Sequence, residues 1–163
     1  AADPTTAVIV EPVNLIESEV RNLLGLPIAL GTIDSTNVVL AFHNYCLSES
    51  TKGICGWISE QTTKAATAYG SAHHIPVIMD EFGGDHYQVN PEQYSANSRA
   101  ISWTEWTFSG KDDITGGTQQ GESLVYDPSL PPTGSNVDTT RLNNLAAPYP
   151  QAISGTPKSS FSM

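Results

Sequence analysis

The chain has 163 residues, 39% hydrophobic and 15% charged, which is enough for one domain with a real core and too apolar for a disordered segment. Lysine plus arginine number 7 against 17 acidic residues, a formal net charge of -10. A surface this acidic repels a phosphate backbone and argues against nucleic acid as a partner, while neutral ligands such as glycans stay open. No apolar run approaches the roughly 20 residues that span a bilayer.

The first strand expected is Ala7-Val8-Ile9-Val10, ending at Glu11-Pro12. A helix follows over Leu15 to Leu24, with Leu15, Ile16, Val20, Leu23 and Leu24 near one face and Gly25 as its stop. The second strand, Val38 to Phe42, ends at His43-Asn44-Tyr45. Cys46 and Cys55 share a Ser/Thr/Gly-rich segment. They read as a small disulfide loop of an extracellular protein or as two unpaired thiols; without a second Cys/His pair at ligand spacing, a metal site is disfavoured. An alanine-rich helix is expected from Trp57 to Tyr69, stopping at Gly70, with His73 and His74 at a helix C-terminus, where positive charge is favoured.

The third strand is Pro76 to Asp80, an apolar run that stops at Glu81 and then at Gly83-Gly84. A short β-rich run of this kind is buried on both faces, as in a parallel sheet. The next helix is expected over Pro91 to Arg99, with proline at the first helical position after Asn90. The fourth strand is Ala100 to Phe108. Beyond it come a Gly/Asp/Thr/Gln-rich loop from Ser109 to Gly121, in which Asp112 and Asp113 read as solvated, an irregular stretch from Pro128 to Ser135, and a last helix over Val137 to Leu145. From Pro148 onward the composition is that of a linker or loose terminus.

Strand and helix thus alternate four times, which predicts an α/β fold with a parallel sheet and helices outside it. A closed barrel needs eight such units. No glycine-rich phosphate turn supports nucleotide binding. The strand ends, Glu11, His43 with Tyr45, Glu81 and Trp106, are expected to converge on one rim, the C-terminal end where α/β barrels keep their chemistry.

Glu81 is the leading candidate. A glycosidase needs two carboxyl groups across a sugar ring and an aromatic platform beneath it. Glu81 suits the nucleophile, His43 and Tyr45 on the neighbouring strand suit hydrogen-bonding and positioning it, and Trp103 or Trp106 suits the platform. A regular strand cannot point both tryptophans the same way, so one packs in the wall or a bulge intervenes. The same alternation turns Asp80 away from Glu81. Glu105, costly to bury alone, is expected to face the helix layer and meet an arginine. The bland alternatives are a structural carboxylate at position 81 and a satisfied core histidine at position 43.

The pieces Phe42-His43-Asn44-Tyr45, Ile78-Met79-Asp80-Glu81-Phe82-Gly83 and Trp103-Thr104-Glu105-Trp106-Thr107 resemble the sixth, seventh and eighth strands of glycoside hydrolase family 5, in its endoglycoceramidase-like branch. Leu124-Val125-Tyr126-Asp127-Pro128, the Asn136-Val137-Asp138 turn and the segment from Pro148 to Pro157 resemble the exit of that branch toward a C-terminal β-sandwich. The resemblance implies a partial TIM (β/α)8 barrel, strands five to eight with their helices. Residues 1–147 would be the C-terminal half of the catalytic domain, and 148–163 a linker or the start of a β-sandwich.

It implies a retaining hydrolase of the β-glycosidic bonds of glycolipids or β-glucans, with Glu81 as nucleophile, His43 and Tyr45 beside it, and Trp106 as platform. Trp103 and Lys111 are further substrate-binding candidates, with core the first reading of Trp103 and a subsite the second. No metal and no cofactor are implied. The family keeps its acid/base in an Asn-Glu-Pro at the end of strand four. Glu11 lacks the asparagine and lies two strands before the nucleophile, so it belongs to strand five, as a rim or packing residue, and the acid/base is expected upstream of Ala1.

Four strands cannot close a barrel, so this chain alone is expected to be marginal and inactive. The implied partners are a glycolipid or oligosaccharide substrate, membrane glycolipids contacted peripherally, and the N-terminal half of the same barrel; the implied location is secreted or extracellular. The competing readings are a non-catalytic carbohydrate-binding relic and a different α/β enzyme or structural domain.

Overall fold

The computed structural model describes residues 6–11, 37–45, 53–84, 86–111 and 122–146. The helix expected over Leu15 to Leu24, Cys46, Asp112, Asp113 and the segment from Pro148 lie outside the described residues. Four strands, β1 (Val8–Val10), β2 (Val38–Asn44), β3 (Val77–Phe82) and β4 (Ser102–Trp103), form one sheet in the order β1-β2-β3-β4, each pair parallel. Helices α1 (Cys55–His73) and α2 (His86–Asn97) lie between successive strands, and α3 (Thr139–Leu145) follows them. The parallel α/β architecture expected from the sequence is therefore present.

Alternation along β2 builds the core. Leu40 and Phe42 face the helices and pack with Ala66 of α1, Met79 and Phe82 of β3, and Val89 and Ala96 of α2. Asn44, two residues on, points the same way and donates to Ser59 O (3.3 Å) and Thr63 Oγ1 (3.2 Å) of α1. Odd-numbered residues of β2, His43 among them, face the opposite side. Trp103 belongs to the helix side: its ring meets Phe82 edge-on at 5.4 Å, and its Nε1 donates to Asn97 Oδ1 (2.9 Å). It is the tryptophan that packs in the wall.

Several element boundaries differ from expectation, and the larger differences have a physical reason. Helix α1 runs past Gly70 instead of ending there. A Cβ on Gly70 would sit 2.3 Å from Val77 Cγ2 and 2.9 Å from the Ile75 carbonyl oxygen, so this glycine permits a close approach of α1 to the start of β3. The helix ends at His74, which takes φ 57°, while the Ile75 N–H turns back to Gly70 O (3.0 Å). Helix α2 begins at His86, with Pro91 inside it. Proline there gives up the bond to the carbonyl four residues back; the preceding turn forms because it carries Val89 into the core.

Strand β4 has two residues instead of nine. Pairing passes from Met79–Trp103 to an isolated Gly83–Trp106 bridge. Over that span β3 advances four residues and its partner three, which breaks the ladder while keeping the chains side by side.

Beyond β4 the chain returns alongside itself, with Leu124 N–H to Thr107 O (3.0 Å) and Val125 N–H to Phe108 O (2.7 Å). A 3-10 turn, Gly134–Asn136, leads to α3, which Asp138 caps by accepting from the Arg141 N–H (2.9 Å). Arg141 is fully buried, pairs with Glu105 and donates to the Gly84 carbonyl. The arginine expected for Glu105 is thus supplied by α3. Cys55 is disulfide-bonded. Among the described residues no helix is long and apolar enough to cross a membrane.

Candidate active site

The site lies where β1, β2 and β3 end together. Register places Phe42 beside Met79, then His43 beside Glu81, so Asp80 is an extra residue on β3. A β-bulge of this kind sets two residues of one strand against one of its partner and re-aims their side chains. Met79 and Phe82 both enter the core, which leaves the two residues between them, Asp80 and Glu81, on the face of His43. The expectation that Asp80 turns toward the helices is therefore corrected: the bulge breaks the alternation on which it rested.

His43 Nε2 lies 2.8 Å from Glu11 Oε1, 3.6 Å from Glu81 Oε2 and 3.9 Å from Asp80 Oδ1. Only the first is a hydrogen-bond distance. Tyr45 donates its hydroxyl to Glu81 Oε1 at 2.8 Å. The phenol and imidazole expected beside Glu81 are both there, with a division of labour that the sequence did not show. Tyr45 holds the carboxylate directly, while His43 bonds Glu11 and only approaches Glu81. The His43 and Tyr45 rings meet edge-on, 6.5 Å apart.

Three carboxylates thus surround one imidazole. Burial pushes the Glu11 carboxyl above its usual range; His43 pulls it down, and the charges of Asp80 and Glu81 push it up again. Burial pushes the Tyr45 phenol above its ordinary value, reinforced by its hydrogen bond to Glu81 and by the charges of Glu81, Glu122 and Glu92. Tyr45 therefore remains a donor at any pH the protein meets.

Trp106 is brought to the exit of β3 by its backbone: its N–H donates to Phe82 O (2.7 Å), and a Cβ on Gly83 would meet the Trp106 carbonyl oxygen at 2.2 Å. Glycine at position 83 is what lets this strand end approach so closely. The Trp106–Thr107 peptide is cis. Lys111 is paired with Asp127 (2.6 Å), which holds that carboxyl at about 2.

Sequence reasoning turned Asp80 away from this site and placed Glu11 on its rim without a bond to His43. A signal for Glu11 was its place at a strand end beside His43; for Asp80 no local signal exists, because only the pairing of β3 with β2 reveals the bulge. Glu11, His43 and Asp80 each offer one ligand atom, all within 4.8 Å of one another, an N/O set a divalent cation accepts. The same convergence suits proton and nucleophile chemistry without a metal.

Comparison with known proteins matches residues 1–112 to the family model described as Cellulase (glycosyl hydrolase family 5). Endoglycoceramidase I of Rhodococcus hoagii (strain 103S) is 29% identical over 171 residues, covering 96% of this chain and 30% of that protein. Among solved structures, the lactosyl-enzyme intermediate of endo-glycoceramidase II from Rhodococcus sp. superposes with a TM-score of 0.69 at 20% identity, covering 96% of this chain and 34% of that one. The cellulose synthase subunit Z of Clostridioides difficile gives 0.55 at 14% identity, over 86% and 49%. The structural likenesses give the fold, a TIM-barrel-like arrangement, and the chain spans about a third of the endoglycoceramidases it matches.

Proposed function

The chain belongs to glycosyl hydrolase family 5, and on that premise we propose that it supplies strands five to eight of a retaining β-glycoside hydrolase. The barrel would be completed by residues preceding Ala1, and residues 148–163 would lead toward a further domain. The observation that carries this reading is the Tyr45 hydroxyl bound to Glu81 Oε1 at 2.8 Å, with the His43 imidazole beside the other oxygen, on the C-terminal rim of a parallel sheet.

Glu81 attacks the anomeric carbon as the bond to the aglycone oxygen breaks, forming a glycosyl ester. A second carboxylic acid, about 5 Å away in retaining enzymes, gives its proton to the departing oxygen. The same group then takes a proton from water, whose oxygen displaces Glu81 and restores the carboxylate. We place that second group upstream, at the end of strand four. Tyr45 orients Glu81 through both steps, Trp106 lies under the sugar, and Lys111 reaches a subsite from the loop, while Trp103 packs in the wall.

The substrate class is a β-linked glycolipid or β-glucan. The relatives named as endoglycoceramidases favour the former, and a relative captured as a lactosyl-enzyme intermediate fits a covalent route. No metal or organic cofactor enters the reaction. A glycolipid substrate implies a secreted protein working at a membrane surface.

A 2-deoxy-2-fluoro β-glycoside with a good leaving group tests the assignment in protein carrying the complete barrel. The expected result is a stable adduct on the peptide containing Glu81; a label on any other residue rejects the nucleophile. Binding of sugar with no turnover and no label favours the carbohydrate-binding relic. Tyr45→Phe is expected to lower kcat/KM about 10- to 100-fold, as the loss of a hydrogen bond to a charged group predicts. Unchanged kinetics in that variant would remove Tyr45 from the site.

A further inference from the structure

We propose that Glu11 is a positioning residue of this site: by accepting the Nε2 proton of His43, it holds the imidazole off Glu81 and leaves Glu81 Oε2 as the attacking oxygen. The inference rests on the reading of Glu81 as nucleophile and deepens it.

The two oxygens of Glu81 are in different positions. Oε1 accepts from Tyr45, and Oε2 faces His43 Nε2 at 3.6 Å, too far for a hydrogen bond. A nitrogen that faces three carboxylates carries a proton, because a lone pair there would oppose theirs. That proton goes to Glu11 at 2.8 Å. On the other side of the ring, Nδ1 is buried and makes no hydrogen bond among the described residues, so Glu11 is the hydrogen-bonding anchor of the imidazole there. Without it, the next nearest acceptor is Glu81 Oε2. A carboxylate clamped by donors on both oxygens has less electron density to give to an anomeric carbon.

The charged groups facing Glu11 are His43 on β2 and Asp80 and Glu81 on β3. A residue that only packs alters activity in step with stability; a residue that sets the orientation of His43 alters turnover and the imidazole's tautomer while the fold is kept.

The experiment compares Glu11→Gln and Glu11→Ala with the parent in protein carrying the complete barrel. The glutamine variant, of nearly the same shape, guards against misfolding. Expected is a kcat about 10- to 100-fold lower with KM little changed. Nitrogen-15 shifts should show the Nε2–H form of His43 in the parent and a changed tautomer balance in the alanine variant. An unchanged kcat in both variants, or a kcat that falls only in step with the thermal midpoint, overturns the proposal. A fluoro-sugar label found away from Glu81 in the parent overturns the nucleophile reading instead; a label on Glu81 with normal turnover of the Glu11 variants overturns this inference alone.

Discussion

On the proposed reading of Glu81 as nucleophile, and in protein carrying the complete barrel, glutamine at position 81 is expected to reduce kcat by about 10⁴-fold or more while the fold survives, because loss of a covalent nucleophile removes the reaction path itself. The amide matches the carboxylate in size, and its carbonyl oxygen can still accept from Tyr45, so the hydrogen bond at 2.8 Å has a counterpart in the variant. Removing one charge from a cluster of three carboxylates around one imidazole also relieves repulsion. The circular dichroism spectrum should therefore be unchanged, and the melting temperature should not fall. A smaller residue gives a second, chemically distinct readout. In Glu81→Ala, azide entering the vacated space can attack the anomeric carbon from the same face, expelling the aglycone and yielding a glycosyl azide of the opposite anomeric configuration. Retained configuration in that product, or turnover near the parent's in the glutamine variant, would place the nucleophile elsewhere.

How far this site could be read beforehand depended on whether each side chain obeyed strand alternation. β2 is regular, so its inward and outward sets followed from sequence: Leu40, Phe42 and Asn44 toward the helices, His43 away from them. Tyr45 and Glu81 were legible as partners because parallel neighbours bring their C-terminal ends to one rim. Asp80 was misplaced because a bulge is a property of pairing between two strands and leaves no mark on either alone. The same limit applied at β4, where the sequence from Ala100 to Phe108 reads as one long strand although its ladder is interrupted after Trp103. Glu105 was a different case. A carboxylate between two tryptophans must be paired if it is buried, and that inference needed no register. Its partner, Arg141, stands 36 residues away on a helix that only the return of the chain through Val125 and Val137 brings into place.

Arg141 is also where the largest loss of stability is expected. Its guanidinium is fully buried, pairs with Glu105 and donates to the Gly84 carbonyl, so one side chain on α3 ties together the exits of the strands carrying Glu81 and Trp106. Arg141→Met should cost about 3–5 kcal/mol, the price of leaving a buried charge without its partner. The pH dependence follows from Glu105. Burial already raises its carboxyl above the ordinary range against the opposing pull of Arg141. A raised folded value means that the group favours folding when protonated and loses that contribution as pH rises through it. Without the guanidinium the rise is steeper, so the deficit of Arg141→Met should be largest at neutral pH and shrink in acid. Adding Glu105→Met to that variant removes the stranded charge and should recover much of the loss, since a well-packed apolar pair often replaces a buried ion pair at little cost. Denaturant titrations of the parent, both single variants and the double variant give the coupling directly. If the double variant is no more stable than Arg141→Met, the dominant contact of Arg141 is the Gly84 carbonyl, and the clamp acts on the strand carrying Glu81 alone.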